Sequence, residues 1–273
     1  MKRLFMLVLS GTIVTFAADT PVAFKDPALA AVAAKSLPAG QPSGNPVNET
    51  QAPTVVLIRS EDTIRDLGGM EKLTGLRFLY LAKSEISDLR PLAGLTNLES
   101  LTIKGGTIAD LTPLANLKKL EFVSITGNQI PDVKALAGLS ELQHLDLSNN
   151  KVADMSPLSG LAKLEWLRLD NNQVTDIAPI MGLKKLVMID LNRNHVQDLA
   201  PIKNVQSWSS LYLDGNQITD LKPLLEAVRS DASKPKGMVP FRSVSIKGNP
   251  LSTTTRSADV PELQKLVGNV AVD

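Results

Sequence analysis

Residues 161–180 read LAKLEWLRLDNNQVTDIAPI, and the frame of this stretch returns every 22 residues. Its first leucine belongs to a column of Leu73, Leu95, Leu117, Leu139, Leu161, Leu183 and Val205. Three positions on, the column runs from Leu76 to Leu186 and closes on Trp208; six and eight positions on, it runs from Leu79 to Leu211 and from Leu81 to Leu213. The last two alternate with polar positions, the mark of a strand with one buried face. Two further apolar columns continue the frame, from Ile86 to Ile218 and from Leu92 to Leu224. So many inward-facing aliphatics per unit exceed what a single coil can cover, so the units must stack and bury one another's faces.

Two polar columns share the period. Asn128, Asn150, Asn172, Asn194 and Asn216 follow the strand, with Ser84 and Gly106 in their place earlier in the chain. An amide there can donate to and accept from backbone at the bend of successive coils, so these residues are read as structural. The end carrying Ser84 and Gly106 is expected to be looser or differently hydrogen bonded. Asp66 and then Asp88, Asp110, Asp132, Asp154, Asp176, Asp198 and Asp220 form the second column. Most of these aspartates are followed three residues later by proline, which places each as the cap of one short 3-10 turn rather than in a cation ladder.

The organisation that follows is a signal peptide over residues 1–17, an N-terminal cap helix with a Pro/Gly-rich linker over 18–52, and a repeat domain over 53–273. Within the repeat domain, a degenerate coil spans 53–72 with its strand in Thr54 to Ile58, and seven regular repeats span 73–225. An insertion spans 226–237, its helical start from Leu224 to Val228 protruding on the convex side, and a last coil with a C-terminal cap spans 238–273. Lys2 and Arg3 precede an apolar run from Leu4 to Phe16, too short to cross a bilayer but suited to a secretory signal cleaved near Ala17. The expected location is secreted or periplasmic, without stable membrane insertion after cleavage.

The whole chain carries a formal charge of +1, which leaves no basic excess for a phosphate backbone, so nucleic acid is not an expected partner. With 0 cysteines there is no disulfide, thiolate metal site or cysteine nucleophile. His144 and His195 fall at different places in neighbouring repeats and do not form a ligand pair. No metal, cofactor or catalytic residue is expected, because no nucleophile-elbow or phosphate-loop spacing accompanies the Ser, His and Asp present. His195 lies on the rim, where acid–base work would need a carboxylate or nucleophile converging in a pocket, which a repeat surface is not expected to offer.

Strand positions between the buried leucines must face outward. They carry Phe78, Tyr80, Phe122, His144, Asp146, Trp166, Arg168, Asp170, Met188, Asp190, Tyr212 and Asp214. Aromatic residues make up only 4% of the chain, yet several stand where the core has no use for them, and Tyr, Trp and Arg are common interface anchors. These residues form the candidate ligand-binding surface, densest around His144, Trp166, Arg168, Asp170, Met188 and Asp190. A purely structural alternative has Phe78 and Phe122 packing under the cap and Asp146, Arg168 and Asp190 forming a cross-strand ion ladder.

The full unit, with Phe24-Lys25-Asp26-Pro27-Ala28-Leu29 before the array and Asn249-Pro250-Leu251 near its end, resembles the bacterial internalin-type leucine-rich repeat. The resemblance implies an α/β solenoid: a right-handed curved coil with a parallel β-sheet on the concave face and short 3-10 turns on the convex face. It also implies protein ligands held by that sheet. The sequence departs from the better-known internalins in that neither an immunoglobulin-like segment nor a wall anchor is expected after the repeats. The expected function is that of an exported, monomeric protein-binding module rather than an enzyme. A self-associating structural scaffold of the cell envelope and a carbohydrate-binding surface stand as alternatives.

Overall fold

A computed structural model describes residues 6–9, 12–15, 20–40, 46–205, 209–232 and 243–273. The expected cleavage site, Trp208, Met238, Phe241 and residues 233–237 of the insertion lie outside the described residues. Near the N-terminus, β1 (Met6–Leu9) and β2 (Thr12–Thr15) pair antiparallel. Everything else is one array. Ten parallel strands form a single curved, unclosed sheet, each inner strand hydrogen bonded to the coil before and after it.

The strands are β3 (Leu57–Ile64), β4 (Phe78–Ser84), β5 (Ser100–Lys104), β6 (Phe122–Thr126), β7 (His144–Asp146), β8 (Trp166–Arg168), β9 (Met188–Asp190) and β10 (Ser210–Tyr212), then β11 (Ser243–Ser245) and β12 (Val270–Ala271). Leu145, Leu167 and Ile189 stand in register, as the repeat requires. The described leucine and isoleucine columns are buried to 2% exposure or less, Val205 being only partly buried. One further column, not singled out in the sequence, is equally buried: Leu89, Leu111, Val133, Met155, Ile177, Leu199 and Leu221. These side chains directly follow the capping aspartates and fill the convex side of the core.

The asparagines act as the repeat predicts. Asn172 Nδ2 donates to the carbonyls of Leu147 and Leu169 at 3.0 Å, while its Oδ1 accepts from the Val152 N–H at 2.9 Å. Asn249 makes the same contacts across the insertion, to the Leu213 and Ile246 carbonyls and the Ile218 N–H. From Asn150 onward the amide holds three carbonyls and the array strands up to β11 shorten to three residues, whereas β4 runs on through Ser84. The N-terminal end is thus differently bonded: Ser84 Oγ donates to the Gly105 carbonyl at 2.8 Å. At Gly106 the backbone has φ +111°, and a Cβ would fall 2.4 Å from the Ile86 carbonyl, so only glycine fits.

Each capping aspartate accepts the backbone N–H two residues on, as at Asp154 with Ser156 and Asp176 with Ala178, both at 2.8 Å. One 3-10 turn follows all but the last of them, Ser156–Leu158 and Ala178–Gly182 for those two, whereas Asp220 opens an α-helix. Proline at the first turn costs no hydrogen bond, because that N–H has no partner within the turn.

The two ends differ in detail from expectation. α1 (Pro27–Lys35) caps the first coil with Leu29 and Ala33 buried. Its N-cap Asp26 accepts from Ala28, Leu29 and, across 39 residues, from the Arg65 N–H at 2.6 Å. Burial would raise this carboxyl, but those backbone donors outweigh it and hold the pKa below the usual value. The first strand of the array is Leu57–Ile64 rather than Thr54 to Ile58: it pairs with β4 one residue out of the 22-residue frame, Leu57 against Phe78, and runs on past a register shift between Ser60 and Thr63. At the other end, α2 (Lys222–Ala232) does not protrude: Leu224, Leu225, Ala227 and Val228 are buried. Its apolar face packs on the array and on α3 (Val260–Leu266), where Arg229 pairs with Glu262.

Candidate functional site

Strand pleating puts one residue of each coil onto a row along the concave wall. Phe78, Ser100, Phe122, His144, Trp166 and Met188 pair successively across the sheet. Phe122 is 38% exposed and Trp166 48%. The rings of Phe122, His144 and Trp166 form a continuous stack, with centroids 5.7 Å and 5.3 Å apart. Together with Met188, Leu145, Asp146 and Arg168 they line a depression of about 200 Å³. Phe122 therefore does not pack under the cap.

At the start of these strands one carbonyl serves two donors of the next coil with no change of register: the N–H groups of Glu121 and Phe122 both bond the Glu99 carbonyl, at 2.9 and 3.1 Å, and those of Glu165 and Trp166 both bond the Gln143 carbonyl. Glu121 is exposed and Glu165 half-buried.

The second row carries the charges. Arg168 reaches Asp146 and Asp190, each at 3.6 Å, so the expected ion ladder does form. Asp146 also accepts from the Ser148 N–H and hydroxyl. Asp170, Asp190 and Asp214 do not stand free on the wall. Asp190 is 7% exposed and accepts from the Asn192 N–H. Burial raises its pKa above the ordinary carboxylate value, and the Asp170 charge adds to this against the opposing Asn192 and Arg168 contacts. Asp170, 8% exposed, is covered by the guanidinium of Arg193. Asp214 is tied to the next coil through the Ser245 hydroxyl and the Lys247 N–H. Arg168 and Arg193 fold over Asp190 and Asp170 and take these two carboxylates out of solvent.

Toward the N-terminus the row continues through groups the sequence frame did not point to. Leu57, 48% exposed, pairs with Phe78. Arg59 lies 4.3 Å over the half-buried Tyr80, and Arg77 lies 5.0 Å from the Phe78 ring centroid. Tyr212 is half-buried at the opposite end.

His195 lines a separate polar groove of about 490 Å³ on the rim. Its neighbours there are Gln129, Lys151, Gln173 and the asparagines, with no carboxylate or hydroxyl side chain among them. Acid–base chemistry of the kind considered from sequence has no partner group in that lining. Among the described residues no group of three or more metal-ligating side chains converges. Among them, too, no helix is long and apolar enough to cross a membrane.

With the geometry established, comparison with known proteins gives a consistent answer. A leucine-rich-repeat family model matches twice, at residues 74–116 and 162–204, and a second such model matches 119–174. No curated protein sequence gives a significant match. The crystal structure of an internalin (InlF) from Listeria monocytogenes superposes with a TM-score of 0.79 at 25% identity, over 93% of this chain and 71% of that one. Internalin C2 (InlC2) from the same organism gives 0.65 at 26% identity, over 94% of this chain and 99% of that one. A leucine-rich-repeat protein from Leptospira interrogans shares the fold at 18% identity and a TM-score of 0.57, over 75% of this chain and 56% of that one. An open array of this kind is a protein-interaction module. In its repeat signature, its unclosed parallel sheet and its structural relatives, this chain is a leucine-rich-repeat solenoid similar to the internalins.

Proposed function

We propose that this chain is exported and captures a protein ligand on its concave wall, with Trp166 at the centre of contact. The apolar depression around the Phe122, His144 and Trp166 stack is the observation that carries the reading. Large aromatic side chains left exposed in a concave surface, with charges at their margin, are the composition of an interface hot spot. Export is supported by Lys2 and Arg3 ahead of the apolar run from Leu4 to Phe16, and the working location is periplasmic or extracellular. The protein works as a monomer and carries out no chemistry on its ligand.

The test is cross-linking in the producing cell followed by recovery of the wild type and the Trp166→Ala variant. Truncation at a half-exposed wall position leaves thermal unfolding nearly unchanged, while the cross-linked partner is lost. Equal recovery of the partner by both proteins removes the site from this wall.

A further inference from the structure

We infer that the segment seated on this wall is a basic amphipathic α-helix of the partner protein, lying along the array axis; this deepens the concave-wall reading and rests on it. Two features carry the inference: the spacing of the apolar row and the sign of its margins.

Phe122, His144, Trp166 and Met188 present one apolar group per coil. Adjacent strands lie about 4.8 Å apart. A helix crossing the strands offers side chains at i, i+3 or i+4, and i+7 on one face, with a pitch of about 5.4 Å. An extended segment repeats on one face only every ~6.7 Å, and falls out of step with the row after two coils. The helical repeat keeps step across the four coils of the row.

Both margins of the row are acidic. Glu121 and Glu165 stand at the leading edge, one residue before Phe122 and Trp166, and among the described residues neither forms an ion pair. Asp146 stands on the trailing edge and shares the cation Arg168 with the buried Asp190. Lys163 is engaged by Glu141, and Arg77 by Glu99. Three carboxylates that are not buried therefore border the row against one guanidinium, although the whole chain carries only +1. A helix with apolar residues along one stripe and Lys or Arg on both flanks sets its cations over these margins, with their aliphatic stems covering the stripe's edges.

The test uses a leucine–lysine peptide of about 14 residues in amphipathic order, short enough to be largely unfolded when free. A peptide of the same pattern with glutamate in place of lysine is its counterpart. Calorimetry against the full chain reads affinity, and far-ultraviolet circular dichroism reads the peptide's helix content. The lysine peptide binds and becomes helical; binding weakens about tenfold in the Glu121→Gln, Glu165→Gln double variant and is lost in Trp166→Ala, while the glutamate peptide does not bind. Failure of the lysine peptide to bind, equal binding of both peptides, binding without gain of helix, or indifference to either substitution overturns the inference. The native cross-linked partner separates the two levels. Dependence on Trp166 without dependence on Glu121 and Glu165 overturns the helix inference and leaves the wall reading standing; independence of Trp166 overturns both.

Discussion

Truncating Asn172 to alanine is the sharpest test of how the coils are joined. The wild-type amide donates to the carbonyls of Leu147 and Leu169 at 3.0 Å and of Asp170 at 3.2 Å, and accepts from the Val152 N–H at 2.9 Å. The losses are unequal. The Leu147 carbonyl keeps the Asn150 amide at 2.9 Å, and the Leu169 carbonyl keeps that of Asn194 at 2.9 Å. The buried Val152 N–H keeps nothing, because Asn172 Oδ1 is its acceptor. An orphaned buried donor costs about 1–3 kcal/mol, and each well-formed donated bond contributes about 1 kcal/mol net, so Asn172→Ala should cost about 3–5 kcal/mol. Asn172→Asp keeps an acceptor for Val152 but aims a carboxylate at three carbonyls, and should cost more. Urea unfolding gives the free energy, and hydrogen exchange at the Val152 amide gives its location. A cost below about 1 kcal/mol, or an unchanged exchange rate at Val152, refutes the account.

Three further outcomes follow from the same structure. Gly160 and Gly182 occupy one column, yet a Cβ at Gly160 meets nothing within 4 Å, whereas at Gly182 it falls 2.0 Å from the Ser159 carbonyl. Gly160→Ala should therefore be neutral or slightly stabilising, and Gly182→Ala should cost about 1–3 kcal/mol in chemical denaturation. Hydrogen bonds from Arg90, Lys134 and Ser156 hold the carboxyls of Asp88, Asp132 and Asp154 below the ordinary value. Their stabilising effect is complete above the unfolded pKa of about 4 and disappears as pH falls through the lower folded values, so the triple Asp→Asn variant should show a flatter acid limb in melting temperature against pH. Asp190 has the opposite sign: its folded pKa is raised, so its charged form weakens the fold. Asp190→Asn should raise the melting temperature at neutral pH, and the gain should vanish in acid once the wild-type carboxyl is protonated.

Most of the array was legible because its elements obey one period. Leucine spacing gave the strand, the asparagines gave the bend, and Asp with Pro gave the turn, each a local rule repeated at one period with few exceptions. The first strand of the array was misplaced because its pairing with β4 falls one residue out of the 22-residue frame, and Leu57 was lost with it as part of the exposed row. Burial of Leu224 to Val228 depends on α3, a partner no local pattern predicts. The candidate wall was legible as to which residues face outward, but not as to which remain accessible. Alternation puts Asp170 and Asp190 on the concave side; only the folded positions of Arg193 and Arg168 reveal that they are covered.

Each ladder amide reaches back to one coil and no further, as Asn150 does to Ile125 and Ile130. Excision of residues 117–138 would set Ile103 and Ile108 before the same amide, like against like. Length in this molecule is thus quantised: a gene gaining or losing one unit rescales the binding wall by a single step of about 4.8 Å without redesigning any joint.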